Sequence, residues 1–395
     1  MPRRTVVDPR LAPRLRELLG ESGISFRALA ARTYYSKSYI HALATGVKAP
    51  TVDIARRLDD VMGAGGQLAA LVAVEGLPGG GDELEALELA RRAVASDVGE
   101  ETLTRLERQV DDLATLYAAT PPQELLQQVR QSLSLVRRLL DARTTLSGQR
   151  RLLVAGGWLS LLAATIHIDL RQSAAAEARL GTGAELAGQS DHPEIAAWCL
   201  ETRAWDVLTG GDYPAAVDLS RQAQATAPQG SSALIQATAQ EGRAWARMGR
   251  QAETRDALDR VARMASTLAV PDRPEHHYRY DPDKALSYTA TTLAWAGDPA
   301  AEGFTRTLIR QLENPGNGTP RPRRVASARL DLALALLAAG EPEEGAAEAT
   351  NAISSGRVVP SNWWRAAEVL AGVERLGVRQ AADLREVYEV HRPSQ

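Results

Sequence analysis

A turn signal recurs through residues 149–395, and it constrains the fold more than any other feature. Gly211-Asp212-Tyr213, Gly249-Arg250, Gly297-Asp298, Gly340-Glu341 and Gly377-Val378 follow one another at intervals of 38, 48, 43 and 37 residues. Glycine followed by a polar residue is a strong break in a helical pattern, and only the last of the five departs from it. Between these turns the chain is rich in Ala, Leu, Arg, Glu and Gln, with two Phe in all. No convincing alternating strand is present, so the intervening segments read as helix. The two longer intervals hold irregular stretches, Pro271–Pro282 and Asn314–Pro322. A helix–turn–helix unit repeated in this way predicts an all-α array of about five to seven stacked pairs. All seven Trp (158, 198, 205, 245, 295, 363 and 364) fall in the first helix of a pair.

The rest of the chain is organised differently. Glu75-Gly76-Leu77-Pro78-Gly79-Gly80-Gly81-Asp82 is a flexible linker by composition. Before it the predicted helices are short. Leu11 to Leu19 stops at Gly20. Ser25 caps Phe26–Arg32, and Ser36 caps Lys37–Thr45, which Gly46 ends. Thr51 caps a helix with Ile54, Leu58 and Val61 on one face, and a last short segment carries Leu68 and Leu71. After the linker, Leu103, Leu106, Val110, Leu113 and Tyr117 keep a 3-4 spacing that Leu125, Val129, Val136 and Leu140 nearly continue. Two heptads are few for a dimerising coiled coil, and a helical hairpin packed into the body is the favoured reading. The expected divisions are a head at 1–75, a linker at 76–82, a connector or first helix pairs at 83–148, and the array at 149–395.

Charge follows the same division. The net charge of −3 is the sum of +5 over residues 1–74, with eleven Arg and Lys against six Asp and Glu, and −8 over the remainder. A basic head on an acidic body points the head at a polyanion. Only three residues are Lys, and two of them, Lys37 and Lys48, lie in the head.

The head segment Phe26-Arg27-Ala28-Leu29-Ala30-Ala31-Arg32-Thr33-Tyr34-Tyr35-Ser36-Lys37-Ser38-Tyr39-Ile40-His41-Ala42-Leu43 resembles the helix-turn-helix of the XRE (Cro-repressor) family over residues 10–75. Ala30 is small where two helices cross, Leu29, Ile40 and Leu43 are apolar at facing positions, and Gly46 with Pro50 matches the family's exit. Tyr34 stands where the family often has Gly, so the turn must tolerate a β-carbon at positive φ. Phe26 replaces the polar residue that commonly touches phosphate, a role open to Arg27 or Ser25. The resemblance implies that Lys37, Ser38 and His41 face base edges in the major groove, with Ser36 opening that helix. Tyr39 and Thr45 lie nearer the backbone, and Arg27 and Lys48 are the phosphate candidates. One small module makes few contacts, so a homodimer on a palindromic double-stranded site is expected, with affinity that falls steeply with salt.

The body resembles a tetratricopeptide (TPR) array. Trp245 and Gly249 match its Trp-x3-Gly spacing, and Gly211-Asp212-Tyr213 is similar to its turn. The resemblance implies a right-handed superhelix whose inner helices offer a concave face to a peptide or small molecule. Head and body together are similar to XRE–TPR regulators of high-GC bacteria, and more distantly to the peptide-sensing RRNPP group. The candidate effector residues are His276, His277 and Tyr280 in an unusually His-, Tyr- and Arg-rich loop, with Asn362 and Trp364 at the start of a late helix.

Catalytic constellations are not found. The chain has no Gly-x4-Gly-Lys-Ser/Thr, no His-Glu-x-x-His and no Gly-x-Ser-x-Gly. Cys199, the one cysteine, sits in an apolar run and reads as inert core; alone, it excludes an intramolecular disulfide or a cysteine zinc cage. His276-His277 lacks a third ligand, so no metal and no cofactor are expected. No run approaches eighteen apolar residues and Met1-Pro2-Arg3-Arg4 opens no signal peptide, so a cytoplasmic protein without a membrane span is expected. The reading is a ligand-responsive transcription regulator and not an enzyme. The alternative is an interaction scaffold whose head gives only localisation or weak non-specific DNA binding.

Overall fold

The structure, a computed structural model, describes residues 5–74, 80–268, 276–314, 321–359 and 362–392. Residues 75–79 of the expected linker, 271–275 and 315–320 of the two irregular stretches, and Pro360-Ser361 lie outside the described residues. Contacts divide the chain into two units, Met1–Ala93 and Val94–Gln395.

The first unit contains four short helices, α1 (Leu11–Ser22), α2 (Phe26–Thr33), α3 (Lys37–Ala44) and α4 (Val52–Met62), a 3-10 turn (Ala69–Leu71), and α5 (Gly80–Val94). The predicted caps form. Ser25, Ser36 and Thr51 side chains accept from the amides of Ala28, Tyr39 and Ile54, at 3.2, 3.2 and 3.4 Å. Each satisfies one otherwise orphaned donor at a helix start. Helix α1 runs through Gly20 and ends instead at Gly23, which is left-handed at φ 66°. A glycine inside the last turn costs little, whereas the left-handed C-terminal position strongly favours one. Leu15, Leu29, Ile40, Leu43, Leu58 and Leu68 are fully buried and form the core of the four-helix cluster. The buried Asp59 carboxylate accepts the amides of Leu68 and Ala69, at 2.9 and 2.8 Å, and so fixes the 3-10 turn to α4.

One element corrects the sequence reading. Strands β1 (Thr5–Val7) and β2 (Val72–Val74) pair antiparallel, with Val6 opposite Ala73. Three-residue strands are too short to show alternation, so the β-branched run Thr5-Val6-Val7 gave no signal.

The second unit is fourteen helices among the described residues. Helices α6 (Glu100–Leu116) and α7 (Pro122–Leu140) precede six antiparallel pairs. These are α8 (Leu146–Asp169) with α9 (Ser173–Ser190), α10 (Pro193–Thr209) with α11 (Tyr213–Thr226), and α12 (Ser232–Arg247) with α13 (Gln251–Ala265). They continue as α14 (Pro282–Ala296) with α15 (Ala301–Glu313), α16 (Pro322–Ala339) with α17 (Pro342–Ser354), and α18 (Trp363–Leu376) with α19 (Gln380–His391). Each recurring glycine turn joins the two helices of one pair, and Gly211, Gly249, Gly297, Gly340 and Gly377 are all left-handed, φ 64° to 91°. All seven Trp lie in first helices of pairs. The apolar stripes of α6 and α7 are buried in this unit beside α8, which leaves the hairpin reading and removes the coiled-coil one.

Helix α8 corrects the expectation on apolar runs. Its best eighteen-residue window has a mean hydropathy of 1.5 with 83% buried, so by length and composition it is apolar enough to cross a membrane. Within the unit it lies between α7 and α9 and is buried all round over Leu159–Asp169. Core helices of that kind are apolar on every face.

Candidate functional site

In the first unit, α3 turns one face to the core and leaves the other free. Ile40, Leu43 and Ala44 are buried, while Lys37, Ser38 and His41, one turn of exposed surface, share the opposite side. Ser36, Thr45, Lys48 and Arg27 are exposed as well. Tyr39 is half-buried, with its ring 5.5 Å from Tyr35 and the Lys48 ammonium 5.4 Å from its centroid. Thr45 Oγ1 donates to the His41 carbonyl at 2.9 Å and ends the helix. The His41 ring is exposed, with Phe26 alongside at 5.8 Å. The turn between α2 and α3 passes through Tyr34 at φ 60°, the positive value the sequence required. The Tyr34 ring is 85% exposed, and the Arg57 guanidinium lies 5.8 Å from its centroid.

The second unit contains a cavity of about 220 Å³ that is open to solvent at one mouth. First helices line it in a common register. Helix α10 contributes Trp198, Glu201, Thr202 and Trp205, α14 contributes Lys284, Ser287, Tyr288 and Thr291, and α16 contributes Arg324, Ser327, Ala328 and Asp331. Each set is i, i+3, i+4, i+7, one helical face. Helix α12 adds Gln236 and Arg243, seven residues apart, and α18 adds Arg365.

Two networks hold these side chains. Asp331, buried at the back, accepts from Thr291 Oγ1 at 2.7 Å, Trp295 Nε1 at 3.0 Å and Arg365 Nη1 at 3.2 Å. Arg365 in turn stacks on the Trp295 ring, 4.6 Å to its centroid. Burial pulls the Arg365 guanidinium down from its usual value and Asp331 opposes this; a guanidinium nevertheless stays charged in a protein. In the second network Gln236 Nε2 donates to Glu201 at 2.9 Å and to the Tyr288 hydroxyl at 2.8 Å. Burial raises the Glu201 carboxyl above the ordinary range, against the Gln236 bond and the fields of Arg243 and Lys284.

The segment 276–281 before α14 brings His277 into one wall. The Lys284 ammonium donates to the carbonyls of His276, His277 and Arg279, at 2.8, 2.6 and 2.5 Å. His276 Nε2 meets Asp111 Oδ1 at 3.1 Å, and the His277 amide donates to the Ala114 carbonyl at 3.1 Å. Arg323 of α16 donates to the carbonyls of Tyr117 and Thr120, at 2.7 and 3.1 Å, and the Tyr117 hydroxyl donates to Asp169 at 2.7 Å. Burial lowers both imidazoles, His276 to about 4 and His277 well below its ordinary value, so both are neutral at pH 7.

Of the effector candidates read from sequence, His277 and Asn362 line this cavity. His276 is buried against Asp111, Tyr280 is buried beside Tyr288 at 6.1 Å, and Trp364 packs on Trp295 at 5.2 Å; none of the three is in the lining. Glu201, Gln236, Arg243, Tyr288 and Asp331 also line the cavity, and the sequence reading does not single them out. Their signal was polar residues at 3-4 spacing within first helices that also carry the tryptophans. Cys199 is buried, and burial pushes its thiol up to about 12, as inert core requires. Among the described residues no group of His, Cys, Asp and Glu is placed to hold a metal.

Residues 10–72 match a family model described as a helix-turn-helix domain. No curated protein matches the chain. The head is thus a helix-turn-helix unit, and in general terms this supports a DNA-binding regulator.

Proposed function

We propose that this protein is a sequence-specific transcription regulator whose head reads operator DNA through α3 and whose body takes an effector in its cavity. The observation that carries it is the exposed row Lys37, Ser38 and His41 on a capped helix within the matched helix-turn-helix. The N-terminal end of such a helix enters the major groove, where Lys37 donates to guanine O6 and N7 and Ser38 and His41 donate or accept. Arg27 and Lys48 contact phosphates, and Ser36, Tyr39 and Thr45 flank the backbone. The protein acts as a homodimer on a palindrome, since one module buries too little surface for tight binding. The acidic remainder keeps DNA contact to the head. An effector in the cavity favours one inter-subunit arrangement and so changes operator affinity.

Footprinting of the purified protein on genomic fragments identifies the operator. Lys37→Ala and His41→Ala each then weaken operator binding by about 1–3 kcal/mol with the melting temperature unchanged. Unaltered operator affinity in both variants sinks the assignment of α3. A scaffold would show only weak binding that is independent of sequence and erased by salt.

A further inference from the structure

Arg243 is the unusual group in the cavity. It is 5% exposed, held by the Gln240 side-chain oxygen, and faces rings: Tyr288 lies 4.2 Å from its guanidinium carbon and Trp205 5.1 Å, measured to the centroids. Among the described residues it has no carboxylate partner, and its Nε–H has no acceptor. Glu201 acts on it only through its field, being bonded to Gln236. The other acids of the lining are committed, Asp331 to Arg365 and Asp169 to Tyr117. A buried cation without a counter-ion is costly, and such sites are completed by an anion. Other orphans lie in the same lining, the Arg365 Nε–H among them; the one beside the aromatic residues is Trp198, which is 2% exposed and whose Nε1–H has no acceptor. The Arg243 and Trp198 donors, set beside the rings of Trp205 and Tyr288, call for acceptor oxygens on a flat apolar body.

We propose that the cavity takes a small organic acid with a planar apolar ring system, its carboxylate against Arg243 and its rings among Trp198, Trp205 and Tyr288. The guanidinium supplies charge-assisted hydrogen bonds, and the aromatic walls supply stacking area. The void accommodates a molecule of two or three rings, and its open mouth lets one enter. This assignment rests on the cavity being the effector site only for its regulatory meaning; the binding chemistry stands by itself.

The test is isothermal titration of the full-length protein with three probes on one ring system: 2-naphthoate, 2-naphthamide and 2-naphthylmethylammonium. The acid binds, the amide binds about thirtyfold more weakly or worse, and the cation does not bind; truncating one side of a buried charge pair costs at least that much. Arg243→Gln brings the acid down to the level of the amide, while Arg243→Lys keeps a preference for the acid. Should Arg243→Gln fail to fold, the acid-to-amide ratio in the wild type and in Arg243→Lys decides. Equal or tighter binding of the amide or the cation, no binding of the acid, or an Arg243→Gln variant with undiminished preference overturns the proposal. Operator affinity measured with and without the acid is read separately. Acid bound without effect on DNA removes the effector reading and leaves the ligand class. A neutral ligand that occupies the cavity and shifts DNA affinity does the reverse.

Discussion

Asp331 offers the sharpest physical test of the body. Its carboxylate is 1% exposed and compensates one buried cation, Arg365, while accepting from Thr291 and Trp295. Asp331→Asn keeps the shape but removes the charge and points an amide at one of the three donors. Arg365 is then a buried cation without its counter-ion, and breaking a buried pair from one side costs about 3–5 kcal/mol. Arg365→Met costs a similar amount, because the carboxylate keeps two neutral donors but loses its cation. The double variant removes both charges and recovers much of the loss, to about 1–2 kcal/mol, since an apolar replacement of a buried pair is often near neutral. Urea unfolding followed by tryptophan fluorescence is the assay. Every Trp lies between residues 158 and 364, so the signal reports the second unit alone. The midpoint moves at constant slope if only stability changes. Single variants that cost under about 1 kcal/mol, or a double variant whose cost is the sum of the singles, would refute the view that Asp331 and Arg365 act as one buried pair.

Three further outcomes follow from the geometry. Tyr34→Gly relieves a side chain held at φ 60° and 85% exposed; glycine's own entropy cost offsets part of the gain, leaving the head more stable by about 0.5 kcal/mol in a thermal melt. A loss of stability would show that the Arg57–Tyr34 contact outweighs the strain. Below pH 6.5 the second unit loses stability, because His276 is lowered by burial from 6.5 to about 4 in the folded chain. The unfolded imidazole takes up its proton first, so the contribution is whole above 6.5 and is lost as pH falls through about 4. His276→Asn removes the His276 share of the pH dependence of the urea midpoint across that window and leaves the share of the other buried imidazoles, His277 among them; an unchanged slope there contradicts the assignment.

The helical rhythm was legible because each left-handed turn between paired helices selects glycine, and because caps such as Ser36 are local chemistry. The positive φ at Tyr34 was legible for the same reason. The two three-residue strands were not, since nothing so short carries a period. The cavity was mostly hidden. A polar face on a helix, such as Lys284, Ser287, Tyr288 and Thr291, reads as solvated surface unless both sides of that helix are known to be covered. Only the packing of α10, α12, α14 and α16 around a common space turns those faces inward. The loop rich in His and Tyr stands out by composition, yet of its described residues only His277 reaches the cavity; His276 is spent on Asp111, and Tyr278 and Tyr280 are buried in the wall behind it.

That wall changes what the array is mechanically. A stack in which each pair touches only its neighbours can fray from either end, unit by unit. Here the segment before α14 grips α6 through Asp111 and Ala114, and α16 grips the end of α6 through Tyr117 and Thr120, some two hundred residues earlier in the chain. These bonds act as a clasp. Helix α6 cannot peel away without also opening the middle of the array, so the start of the unit is tied to the fate of its centre. Tyr117 and Arg323, which form part of this clasp, also line the central cavity, so the first helix of the second unit is tied to the cavity wall itself.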